Sequence, residues 1–190
     1  MTRTKHASEA ISPPLQGSRL PVQGRTDRKT HGSLYTPEER QRRDESVWTL
    51  VQGVLAPLQF IVFLISLGLV VRTLTSGENA FAADLSIVIK TLLLYTIMVT
   101  GSIWEKVVFG KWLFVPAFFW EDVFSMLVLA LHTAYLVMLF AGLGTIEQRL
   151  AVALAAYAAY VINAGQFLWK LRVARLQGAD AQPKPEAVLA

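Results

Sequence analysis

The chain has 190 residues, 53% of them hydrophobic and 17% charged, with a formal net charge of +4. Apolar residues gathered into long runs at this density fit a membrane protein better than a soluble domain. The charges lie mostly in the two tails, which argues against nucleic-acid binding, and the lack of cysteine excludes disulfides, zinc thiolates and thiol nucleophiles.

Residues 1–34 combine Pro, Gly, Ser, Thr, Arg and Lys with few large apolar side chains. Such a segment buries too little surface to offset its ordering entropy and is expected to be a disordered tail. His6 and His31 are isolated within it and read as solvated. No cleavable signal peptide is expected, because the first apolar run lies behind this tail and exceeds an h-region of roughly 7–15 residues.

Order is expected to begin at Tyr35-Thr36-Pro37-Glu38-Glu39. Thr36 suits an N-cap, Pro37 the first helical position, and Glu39 closes a capping box. The charged turn RQRRDES then leads directly into a first span over about 47–74, longer than the roughly 20 residues a spanning helix needs. Pro57 is expected to kink it. Glu45, Gln52, Gln59 and Ser66 recur at seven-residue spacing and form a polar stripe. Its plain reading is interhelical hydrogen bonding; the sharper one is that Gln52 or Gln59 orients a water or a substrate carbonyl.

A second span covers about 84–104, with Lys90 snorkelling outward and Tyr95, Thr96 and Thr100 available to the bundle interior. The third covers about 117–140 and carries His132 on nearly the same face as Glu121. An ionisable group at that depth is a functional candidate, although a neutral histidine bonded to a tyrosine or carbonyl fits equally well. The fourth, about 146–169, offers Ala151, Ala155 and Ala159 as a small-residue packing face and places Asn163 and Gln166 one turn apart. The membrane domain thus runs over 35–176, with a disordered tail at 177–190. The fold class is all-α, a polytopic four-transmembrane-helix bundle.

Between spans two and three lies Gly101–Asp122, GSIWEKVVFGKWLFVPAFFWED. It unites three carboxylates (Glu105, Glu121, Asp122), two lysines (Lys106, Lys111) and three tryptophans (Trp104, Trp112, Trp120). Carboxyls at a low-dielectric boundary suit general acid–base work. The aromatics could flank a flat apolar ligand or simply form an interfacial belt. The positive-inside rule puts the N-terminal tail, the 105–116 loop and the C-terminal tail in the cytoplasm, which needs an even number of spans. No inverted repeat or broken-helix pair favours a transporter.

Three blocks, LYTPEERQRRDESVWTLVQGVLAPLQF, VTGSIWEKVVFGKWLFVPAFFWEDVFSMLVLALHTAYL and AAYVINAGQFLWKLR, resemble the 2-vinyl bacteriochlorophyllide hydratase family, also called C-3 vinyl hydratases, of bacteriochlorophyll biosynthesis. The resemblance covers roughly 34–176 and leaves out the N-terminal tail. It implies a hydro-lyase that adds water to the C3 vinyl group of a chlorophyllide-type tetrapyrrole, giving a 1-hydroxyethyl group. It further implies the inner (cytoplasmic or intracytoplasmic) membrane of a photosynthetic bacterium. No cofactor is expected, since the magnesium arrives with the substrate. The partners are the tetrapyrrole and the lipid bilayer, with homo-oligomers or contacts to other pigment-biosynthesis enzymes left open.

The resemblance assigns no catalytic residues, so the roles rest on chemistry. Hydrating a vinyl group conjugated to a macrocycle needs an acid, a water orienter and a rigid slot. Glu105 or Glu121 is the expected acid, with Asp122 or another of these carboxylates orienting water. Lys106 or Lys111 would meet the substrate's propionate, and His132 would approach the central magnesium. Trp104, Trp112, Trp120, Gln52, Gln59, Asn163 and Gln166 complete the candidate binding set. The rival class is a non-catalytic pigment-binding or assembly protein using the same aromatics and His132.

Overall fold

The computed structural model describes residues 34–180, with side chains to residue 176. The tail before Leu34, His6 and His31 within it, and residues 181–190 lie outside the described residues. Five helices follow one another: α1 Pro37–Glu45, α2 Val47–Ser76, α3 Ala80–Phe109, α4 Phe119–Phe140 and α5 Ile146–Asp180. No strand occurs among the described residues. The last four helices are long and apolar enough to cross a membrane.

The expected capping box opens α1. Thr36 Oγ1 accepts the Glu39 amide at 3.2 Å, and Glu39 Oε2 accepts the Thr36 amide at 2.8 Å. The charged turn does not run straight into the first span, however. Ser46 is extended (φ −78°, ψ 126°) and ends α1, and its hydroxyl accepts the Trp48 amide at 3.2 Å to start α2. Glu45 is therefore not on the polar stripe; it accepts Gln41 on exposed α1. The stripe is instead Gln52, Gln59 and Ser66, continued by buried Thr73. The helix continues through Pro57.

α2 pairs closely with α3, and α4 with α5; the two hairpins meet more sparsely. Gly77, left-handed at φ +73°, caps α2 and lets Asn79 start α3 two residues later. Polar contacts fix the register between helices: Gln52 Nε2 donates to Thr100 Oγ1 at 2.7 Å, and Ser66 Oγ bonds Ser86 at 2.6 Å and Tyr157 at 2.5 Å. The packing is apolar outside and partly polar inside: Leu50, Val54 and Ile65 are exposed, whereas Gln59 and Ser66 are buried. That inversion suits a lipid surround, where helices associate through close packing and hydrogen bonds rather than the hydrophobic effect.

Three further expectations are corrected. Lys90 does not snorkel: it is fully buried, because its face of α3 turns toward His132 rather than lipid. In α5, Ala151 and Ala155 are exposed, while Ala153 and Ala156 lie in the core beside Ala159 and Tyr157. At 100° per residue, a face set by Leu150, Ala153, Tyr157 and Tyr160 leaves positions 151 and 155 pointing away. Thr96 likewise bonds back to Leu92 O on an exposed face, whereas Thr100 reaches Gln52.

Candidate active site

The turn from α3 to α4 builds the site. Gly110, left-handed at φ +77°, caps α3, and Lys106 Nζ donates to its carbonyl at 2.9 Å. The chain then passes through Phe114, whose φ of +57° is unusual for a bulky side chain. That backbone twist aims the Phe114 amide at Asp122 Oδ2, 2.6 Å away. Asp122 is thereby held from the loop as well as by its own helix.

All three carboxylates of this region are buried: Glu105 is 6% exposed, Glu121 4% and Asp122 3%. Their partners differ. Glu121 Oε2 takes an ion pair from Lys170 of α5 at 2.6 Å, and Lys170 Nζ also donates to the Ala117 carbonyl. Glu105, by contrast, lies beside the Asp122 carboxyl within hydrogen-bonding reach. Its Oε2 finds no donor among the described residues. Two carboxyls in such contact bond only if one carries a proton. Each also meets a backbone amide, Asp122 that of Phe114 and Glu105 that of Val115, but only Asp122 lies in the field of the Lys170 ammonium, which favours its ionised form and leaves the shared proton to Glu105.

Around this pair sits an aromatic cap. Phe118 lies edge-on to Trp104 (centroids 5.7 Å) and stacks with Phe167 (6.0 Å), while Tyr35 stacks on Phe109 (5.7 Å). Burial raises the Tyr35 phenol above its ordinary pKa, opposed by the Arg43 guanidinium 4.7 Å from the ring. Trp104 Nε1 donates to Thr49 Oγ1 at 2.9 Å, fixing α3 against the start of α2. Asn163 Nδ2 donates to Ser125 Oγ at 2.9 Å, one turn beyond the acids. Several buried polar atoms have no protein partner among the described residues: Asn163 Oδ1 and Gln166 Oε1 on α5, and both amide atoms of Gln59 farther along α2 toward mid-bundle.

The structure thus brings Glu105, Asp122, Glu121 and Trp104 together, with Gln52, Asn163 and Gln166 deeper in the same half and Gln59 at mid-bundle. It does not bring in the others. Trp112 and Trp120 are 58% and 65% exposed, in keeping with a belt. Lys111 is exposed, and Lys106 is occupied with Gly110 beneath Trp112. His132 is fully buried at mid-bundle, with Nδ1 2.8 Å from Val128 O and Nε2 3.0 Å from Lys90 Nζ. Sequence reasoning missed Lys170, Ser125, Phe114 and Lys90. Lys170 had a signal: Asn163, Gln166 and Lys170 follow i, i+3, i+7 spacing, one polar face on an apolar helix.

Residues 35–173 match the 2-vinyl bacteriochlorophyllide hydratase family. A 2-vinyl bacteriochlorophyllide hydratase of Cereibacter sphaeroides is 68% identical over 152 residues, 80% of this chain and 94% of the relative. One from Rhodobacter capsulatus is 69% identical over 148 residues, 78% of this chain and 86% of its own length. No solved structure matches the chain. With so much of both chains covered at this identity, the protein belongs to the 2-vinyl bacteriochlorophyllide hydratase family.

Proposed function

We propose that the chain is a hydratase of bacteriochlorophyll biosynthesis that adds water to the vinyl group of a bacteriochlorophyllide, with Glu105 as acid and Asp122 as base. The observation that carries the residue assignment is the buried Glu105–Asp122 pair, in which Glu105 Oε2 lacks a donor and Asp122 holds the Phe114 amide. Glu105 delivers its proton to the terminal vinyl carbon, which becomes a methyl group. The cation left on the adjacent carbon is delocalised into the macrocycle. A water held by Asp122 attacks that carbon as Asp122 takes the water's proton, and proton transfer within the pair restores Glu105. One water is consumed and no electrons are exchanged, so the reaction requires no redox cofactor; the magnesium belongs to the substrate.

The ion pair with Lys170 favours Glu105 over Glu121 as the acid. Trp104 and Phe118 supply an apolar edge beside the acids, which lowers the local dielectric and strengthens each charge interaction. Gln59, Asn163 and Gln166 offer unpartnered polar atoms to the ligand or its water. On this reading an even number of spans leaves both ends of the bundle domain on one side, and the basic residues of the α3–α4 turn (Lys106, Lys111) and of the last turns of α5 (Arg172, Arg175) favour the cytoplasm for it. The surrounding membrane is the cytoplasmic or intracytoplasmic membrane of a photosynthetic bacterium.

Membranes containing the chain, supplied with a 3-vinyl bacteriochlorophyllide, are expected to yield a product heavier by one water. The pigment's red absorption band should move to the blue as the vinyl group leaves conjugation. Retention of unchanged pigment by folded protein would instead mark a carrier.

A further inference from the structure

Lys90 is a buried amine with no anion beside it, an unusual setting for a merely structural lysine. It is fully buried halfway along α3, and no carboxylate lies within ion-pairing distance among the described residues. Its Nζ instead faces an aromatic box: 4.1 Å from the centroid of Tyr160, 5.3 Å from Tyr157 and 5.9 Å from Phe63. Its hydrogen-bond partner is His132. Because His132 Nδ1 faces the Val128 carbonyl, which can only accept, that nitrogen carries the proton of the neutral ring, and Nε2 accepts from Lys90. Neither neighbour neutralises an ammonium. A desolvated cation without a counter-charge is costly, and aromatic faces offset only part of that cost.

A second observation lies on the same interior face. Gln59, one turn before Phe63 on α2, is 2% exposed and finds no protein partner for either its amide nitrogen or its oxygen. Lys90 faces Tyr160 of α5 across the sparser seam between the hairpins, and Gln59 shares the face of α2 from which Phe63 meets Tyr157 and Tyr160. His132 is ten residues beyond Asp122 on α4 and Lys90 is fifteen before Glu105 on α3, so the backbone of the Lys90–His132 layer lies about 15–22 Å along the axis from that of the acids, a gap that the side chains at either end shorten. A bacteriochlorophyllide carries its vinyl group on one edge and a free propionic side chain on another, a separation of that order.

On the hydratase reading above, on which this inference rests, we propose that Lys90, with Gln59 beside it, is the subsite for the substrate's propionate. The carboxylate supplies the missing counter-charge, and the macrocycle then lies along the hairpin seam with its vinyl edge at Glu105 and Asp122. Lys106 and Lys111, which lie at the surface, would not serve this purpose. His132 acts through Lys90: its lone pair holds Nζ in the box until the carboxylate arrives.

The test compares a 3-vinyl bacteriochlorophyllide with its propionate methyl ester, using detergent-solubilised full-length protein and both a binding titration by pigment fluorescence and turnover by mass. Wild type should bind the free acid at least about tenfold more tightly than the ester. Lys90→Met should lose that preference by weakening the acid alone, raising its KM more than it lowers kcat. A merely structural Lys90 would weaken acid and ester equally, and equal binding of acid and ester by wild type would overturn the proposal without any variant. Preserved acid preference in the titration, with no gain of water by either pigment, would leave the subsite standing and remove the hydratase reading.

Discussion

Lys170→Met tests how the three carboxylates are divided. In the structure Lys170 Nζ bridges Glu121 Oε2 at 2.6 Å and the Ala117 carbonyl, so a single side chain ties the α3–α4 turn to α5. Methionine fills nearly the same volume but leaves a carboxylate that is only 4% exposed without its cation, and Ala117 without a donor. Removing one partner of a buried pair costs about 3–5 kcal/mol. The Lys170 side chain is 25% exposed, which lets solvent recover part of that, so a loss of about 2–3 kcal/mol is expected. Lys170→Met/Glu121→Leu removes both charges and should regain most of the stability. Thermal unfolding in detergent, followed by circular dichroism, reads the difference between the three proteins. If the single variant unfolds within experimental error of wild type, the clasp contributes nothing and Glu121 returns as a candidate acid. Turnover gives the complementary readout: Glu121→Gln should keep most of its activity once folded.

Other expectations follow from particular contacts. Asp122→Asn keeps an oxygen for the Phe114 amide yet cannot take a proton from water, so turnover should fall by about 10²–10⁴ with little change in thermal stability. Ser66→Ala strands the Tyr157 hydroxyl and should cost about 1 kcal/mol in unfolding measurements while leaving the reaction nearly intact. Trp112→Ala, at a position 58% exposed, should leave kcat and KM within about twofold of wild type if Trp112 belongs to the lipid-facing belt. A large rise in KM would place it at the pigment.

Much of this architecture can be read from the chain because its signals are local. The capping box at Thr36 and Glu39 needs only four residues, and the four apolar runs announce themselves by length. The acids between spans two and three are adjacent in sequence to the turn that gathers them. What could not be read is which way each helix faces. In a lipid surround both faces of a spanning helix are apolar, so periodicity does not distinguish inside from outside. That is why Lys90 reads as a snorkelling residue when it points inward, and why Ala151 and Ala155 look like a packing face. The Lys170–Glu121 pair joins residues 49 apart, and the break at Ser46 depends on a single hydroxyl turning back to Trp48. Neither is a pattern of composition or spacing.

The most direct measurement compares wild type with Glu105→Gln in one pigment assay. Glutamine keeps the shape of Glu105 and can even donate to Asp122, so folding should be unaffected, but it has no proton to give to carbon. Wild-type membranes should convert 3-vinyl bacteriochlorophyllide to a product heavier by one water, and the variant should do so at least about a hundredfold more slowly while still binding the pigment. Undiminished hydration by Glu105→Gln would contradict the account and move the proton donor away from the Glu105–Asp122 pair.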